Sequence, residues 1–107
     1  MPIETVEHDK GLVIKMSGSF DRQASEDLEE TIADQKSDNI VLNLFDVNYI
    51  SSVSVGTLVK LHRDLNAKKK KLSISNVSEE CQKIFDMIEV NEILPIFMDV
   101  DEALADK

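Results

Sequence analysis

The sequence predicts an α/β fold: a mixed, largely parallel sheet of about five strands with helices packed on it. Three observations carry that expectation. Ile40-Val41-Leu42-Asn43-Leu44-Phe45 is an apolar run of the length of a strand buried on both faces. After it, Val55, Leu58, Val59, His62 and Leu65 recur at three- and four-residue steps, the period of a helix laid on a core. The rest of the chain alternates strand-like and helix-like segments behind an opening hairpin, the pattern that parallel crossovers demand.

Taken in order, Ile3–Glu7 and Leu12–Ser17 read as strands joined through His8-Asp9-Lys10-Gly11, with Gly11 supplying a positive φ in the turn. Leu12, Ile14 and Met16 alternate with Val13, Lys15 and Ser17, the period of a sheet with one wetter face. Gly18-Ser19-Phe20-Asp21-Arg22-Gln23 breaks that pattern. A helix then spans about Ala24 to Lys36, with Ala24, Leu28 and Ile32 as its inner stripe. Glu26, Asp27, Glu29 and Glu30 load its first turns with charge that suits the helix dipole. Ser37-Asp38-Asn39 is a polar loop into the central strand Ile40–Phe45. The core helix, about Ser54 to Lys68, ends in the run Lys68-Lys69-Lys70-Lys71, which reads as dipole compensation and solubility rather than as a nucleic-acid patch. Leu72–Asn76 alternates as a strand, and Ser78-Glu79-Glu80 opens a third helix carrying Cys81, Ile84, Phe85 and Ile88. Ile93–Phe97 contains Pro95 and suits an edge or terminal strand. Asp99 or Asp101 caps a last turn through Ala103 and Leu104. The predicted order is β-β-α-β-α-β-α-β-α in one domain over residues 1–107.

A chain of 107 residues with 42% hydrophobic content fills one core. Its net charge of −9 repels nucleic acid and anionic lipid, which leaves basic or mixed-charge proteins as partners. One cysteine, Cys81, excludes an internal disulfide and suits a reducing compartment, and its helical spacing makes it a buried, inert thiol. Met1-Pro2-Ile3-Glu4 has no signal-peptide pattern, and no stretch approaches the roughly 20 apolar residues of a membrane span. A soluble cytoplasmic protein is expected.

Chemistry concentrates at Ser51, Ser52 and Ser54, where the central strand gives way to the core helix. A serine there can cap the free N–H groups of the first turn, and the same positive dipole end tolerates a phosphate. Capping and phosphoryl transfer are thus both open. Catalytic machinery is sparse. His8 lies in a hairpin turn and His62 on or beside an inward helix stripe, and there is no His-x-x-x-His, Cys-x-x-Cys, P-loop or EF-hand pattern. No catalytic residue, metal site or cofactor is expected, and a small enzyme or ligand-binding protein using the serines and His62 is the weakest reading.

With the element order and the serine run in hand, nearly the whole chain resembles a STAS domain of the stand-alone bacterial anti-sigma factor antagonist type. Gly18-Ser19-Phe20-Asp21 resembles the family's Gly-x-Leu-Asp, and Ile40–Phe45 followed by Asp46-Val47-Asn48-Tyr49-Ile50 resembles its central strand and the approach to its signature. Leu72–Val77 with the helix after it and Asp101-Glu102-Ala103-Leu104 resemble the rest. The family signature, Asp-Ser-Ser/Thr-Gly-Leu-Gly, aligns with Ser51-Ser52-Val53-Ser54-Val55-Gly56. Ser52 and Gly56 match, Val55 stands for Leu and Tyr49 fills an aromatic slot. Ser51 replaces the Asp, Val53 the second hydroxyl and Ser54 the first Gly.

The resemblance implies a protein-interaction module in a partner-switching pathway. A serine kinase that is also the anti-sigma factor phosphorylates the signature, and only the unphosphorylated form binds it. Ser52 and Ser54 are the phosphorylation candidates, and Asp21, Tyr49, Ser51, Ser52, Val53, Ser54, Val55 and Thr57 the partner-binding set. Losing the signature Asp removes a charge that could orient a hydroxyl or hold metal, leaving Asp21 as the matching acid nearby. The alternative is a non-phosphorylated scaffold or accessory subunit, as in stressosome-like assemblies or lipid-transport complexes.

Overall fold

The computed structural model describes residues 3–106, the Asn91 side chain excepted, so Met1, Pro2 and Lys107 at the ends of the predicted domain lie outside the described residues. Strand β1 (Ile3–His8) pairs antiparallel with β2 (Gly11–Phe20), and β2 pairs parallel with the central strand β3 (Asn39–Ile50). Two further parallel pairings add β4 (Lys71–Ser75) and β5 (Ile96–Phe97), giving one sheet in the order β1-β2-β3-β4-β5. The connecting helices are α1 (Arg22–Ala33), α2 (Ser52–Ala67) and α3 (Glu79–Ile88), with α4 (Val100–Ala105) closing the chain. Element order and sheet type are as predicted.

Alternate residues of the middle strands build the main core on one face. Ile14, Leu42 and Ile74 meet Leu28 of α1, Leu58 of α2 and Phe85 of α3. Val41 points to the other face, where Ala103 and Leu104 of α4 cover it beside Val13 and Phe97. The apolar run of β3 is explained by this double burial.

Several boundaries differ from the sequence expectation: α1 ends at Ala33, β5 is only Ile96–Phe97, and the ends of β2 and β3, with the turn glycine Gly11, differ for non-local reasons. Strand β2 does not stop at Ser17. It continues to Phe20 through register irregularities against β3, with Gly18 at φ 77° supplying the left-handed residue of the kink. Gly11, by contrast, has no positive φ. It is a glycine for lack of room, since a Cβ there would run into the Asn39 carbonyl. Strand β3 runs five residues past Phe45 because β2 still pairs with it on one side, although β4 has ended at Ser75. On the side vacated by β4, the Ser78 hydroxyl at the start of α3 donates to the Val47 carbonyl at 2.6 Å.

Caps set the helix starts. Asp21 Oδ1 accepts from the Ala24 N–H at 3.0 Å, so α1 begins two residues earlier than its apolar stripe suggests. Ser78 Oγ accepts from the Cys81 N–H, and Asp99 rather than Asp101 caps α4. Pro95 stands just ahead of a two-residue edge strand, as its missing N–H requires. Cys81 is buried, as expected.

Candidate functional site

The register that pairs Phe20 with Ile50 ends β2 and β3 side by side. Both strands therefore hand over to helices at the same edge of the sheet, and the N-termini of α1 and α2 lie together. Asp21 caps the first. Ser51 caps the second, its Oγ accepting from the Ser54 N–H at 3.1 Å while its backbone stays extended. Each terminus presents unpaired N–H groups and the positive end of a dipole.

Between them sits the Ser54 hydroxyl, with the residue 0% exposed. Its Oγ donates to the Phe20 carbonyl at 2.5 Å and lies 3.0 Å from Ser51 Oγ and 3.2 Å from Ser25 Oγ. Because its one proton is spent on Phe20, Ser54 takes the acceptor role toward Ser51. Ser25 Oγ also reaches the Asp21 carbonyl at 2.9 Å. These bonds stitch the first turn of α2 to the β2–α1 corner.

Ser54 thus departs from the expectation of a surface acceptor. It occupies the inward stripe shared with Leu58, Leu61 and Leu65 of α2, and its hydroxyl is occupied inside the protein. Val55 departs likewise: it is buried in the main core and offers nothing to a visitor. Thr57 is half-buried, and its Oγ1 donates back to the Val53 carbonyl at 3.2 Å.

The other expected residues are at the surface together. Ser52 is the first residue of α2 and is exposed, Val53 beside it is 59% exposed, and Tyr49 at the end of β3 is 54% exposed. Asp21 is exposed and Ser51 half-buried. One residue left out of the expected set belongs with them. Gly56 is exposed one turn beyond Ser52, and a Cβ added to it would meet nothing within 4 Å. Glycine inside a helix costs about 1 kcal/mol against alanine, and no packing inside the chain requires it here. A helix-interior glycine with no internal cause was the legible signal. Together these residues make a partly apolar surface around one exposed serine hydroxyl, that of Ser52.

His62 does not join this site. It follows Ser52 by ten residues on the same helix, about 15 Å along the axis. Burial pushes the Cys81 thiol up from its ordinary range; the Ser78 hydroxyl opposes this and the Glu80 carboxylate adds to it. Among the described residues no three His, Cys, Asp or Glu side chains group closely enough to hold a metal ion, and no helix is long and apolar enough to cross a membrane.

Comparison with known proteins fits this geometry. The model of the STAS domain family matches residues 2–103. An anti-sigma-B factor antagonist of Staphylococcus epidermidis is 29% identical over 97 residues, covering 88% of this chain and 90% of that protein. The crystal structure of an anti-sigma factor antagonist from Mycobacterium paratuberculosis superposes with a TM-score of 0.81 at 19% identity, over 95% of this chain and 89% of that one. The unphosphorylated form of the anti-sigma factor antagonist SpoIIAA gives 0.76 at 20% identity, over 95% and 92%.

Proposed function

The chain belongs to the STAS domain family, and we propose that residues 1–107 act as one anti-sigma factor antagonist domain that binds rather than catalyses. Its partner is a serine kinase that also serves as the anti-sigma factor, met in the cytoplasm on the face formed by Asp21, Tyr49, Ser51, Ser52, Val53 and Gly56. Ser52 is the switch. The names of its relatives support the class of function. The observation that carries the switch is the opposite fate of the two candidate hydroxyls, Ser52 exposed at the head of α2 and Ser54 sealed beneath it.

Charge explains why phosphate would separate the partners without unfolding the protein. A phosphoserine adds about −1.5 to −2 charges and three acceptor oxygens. At the first residue of a helix the backbone N–H groups and dipole tolerate that charge. In the middle of a docking face, beside exposed Val53 and Tyr49, the same group must be stripped of water and set against the partner. The fold survives and the complex does not. Incubation with the cognate kinase and ATP, followed by mass spectrometry, should place a single phosphate on Ser52 and abolish complex formation. Absence of any complex in either state, or phosphate elsewhere, overturns the assignment.

A second reading rests on Val53, an exposed apolar side chain where the family signature has its second hydroxyl. It makes the same face a permanent contact within a larger assembly or transporter complex. Co-purification with such an assembly, unaffected by Ser52→Asp, decides for it.

A further inference from the structure

The far end of α2 carries a second feature, independent of the docking face. Asn66 stands in the last turn of the helix that Ser52 opens, about 20 Å from that serine along the axis. There Lys10 of the β1–β2 turn, Asn39, His62, and Lys69, Lys70 and Lys71 line a pocket of about 480 Å³, with Asp38 and Asp106 also on its wall. We propose that this pocket binds a small phosphate-bearing organic anion.

Four lysines outnumber two carboxylates here, in a chain whose net charge is −9. Lys71 is committed: its ammonium bonds the Asp106 carboxylate and its backbone carbonyl, and lies 5.1 Å from the centre of the Phe97 ring. Among the described residues Lys10, Lys69 and Lys70 have no ion pair. The C-terminus of a helix carries only about half a negative charge, which one lysine offsets, so dipole compensation does not account for the rest.

One buried polar atom strengthens the case. His62 Nδ1 has no hydrogen-bond partner in the protein, and as an N–H it would donate to an anion. Asn39 Oδ1 is also unpartnered, but its amide nitrogen is spent on the Lys10 carbonyl at 3.0 Å and the Leu104 carbonyl at 3.2 Å, so Asn39 offers an anion no donor.

Lys69 adds a third, separate sign. Its φ is 62°, the left-handed position just past the C-cap where glycine is usual. A lysine there carries a backbone cost and stands on the pocket wall. Ammonium groups suit phosphate as point charges, while lysine stems and the His62 ring give the apolar walls of an organic ester. The concave shape fits a small molecule better than a helix or strand of another protein.

The test is an amide NMR titration of the full chain with phenyl phosphate at constant ionic strength, with inorganic phosphate and succinate in parallel. Saturable shifts should appear at Lys10, Asn39 and Lys69–Lys71 and not at Ser52 or Val53, with phenyl phosphate the tightest of the three. Lys69→Gly should raise the melting temperature of the unliganded protein, by relieving the left-handed lysine, yet weaken phenyl phosphate by about tenfold. Shifts that never saturate, succinate binding as tightly as phenyl phosphate, or Lys69→Gly binding unchanged would each overturn the proposal. Because the docking residues are not involved, failure of either reading leaves the other standing.

Discussion

Replacing Ser54 by alanine removes the hydroxyl that joins the head of α2 to the β2–α1 corner, and its cost follows from the partners it leaves. The bond to the Phe20 carbonyl, 2.5 Å long in a fully buried setting, is lost outright. A typical bond contributes about 0.5–1.5 kcal/mol net, and a buried carbonyl left without its donor costs about 1–3 kcal/mol. Ser51 and Ser25, at 3.0 and 3.2 Å from the lost oxygen, can turn toward other acceptors and recover part of this. The expected loss is about 2 kcal/mol, equivalent to about 10 °C in melting temperature for a domain of this size. Ser52 predicts the contrast. As an exposed first helical residue, Ser52→Ala should stay within about 0.5 kcal/mol of the parent, and Ser52→Asp should gain about 0.3–1 kcal/mol from the dipole. Ser54→Asp would bury an unpaired carboxylate in the same few ångströms and should prevent folding. Urea titrations read the first three variants as midpoints at constant slope, and Ser54→Asp as the absence of a folding transition. If Ser54→Ala matches the parent, or Ser54→Asp folds as well as Ser52→Asp, the inward assignment of Ser54 is wrong.

Other expectations concern neighbouring residues. Gly56→Ala should raise stability by up to about 1 kcal/mol, since nothing lies within 4 Å of the added methyl, while weakening partner binding measured by calorimetry. Ser78→Ala removes both the α3 cap and the bond to the Val47 carbonyl, and should cost about 2 kcal/mol in a urea titration. Cys81 makes stability depend on alkaline pH. Its folded thiol titrates above the ordinary value of about 8.5, so the unfolded chain loses the proton first. The stabilisation is whole below that value and is lost as pH rises through the folded one. The urea midpoint should fall accordingly, and Cys81→Ala, less stable throughout, should lack that extra fall.

How far the sequence foretells this arrangement depends on whether the cause is local. The apolar run of β3 and the stripe of α2 are set by burial of their own side chains, so element type and order are legible. Ser54 is instructive because its position was readable and its chemistry was not. It shares the period of Leu58, Leu61 and Leu65, yet a serine suggests solvent. Its partners Ser25 and Phe20 lie 29 and 34 residues away, where no spacing rule reaches. Gly11 shows the same gap: a turn glycine suggests φ, whereas the Asn39 carbonyl is what demands it. The lysine run was visible as charge, but its pocket exists only because the β1–β2 turn brings Lys10 beside α2.

The account rests on the exposed head of α2 being a docking face controlled at one hydroxyl. Its most direct test is the affinity of the partner kinase for Ser52→Asp and Ser52→Ala, measured by calorimetry on proteins shown to unfold at or above the parent midpoint. The account predicts that Ser52→Ala binds like the parent while Ser52→Asp loses the complex. Equal affinity for all three would contradict it.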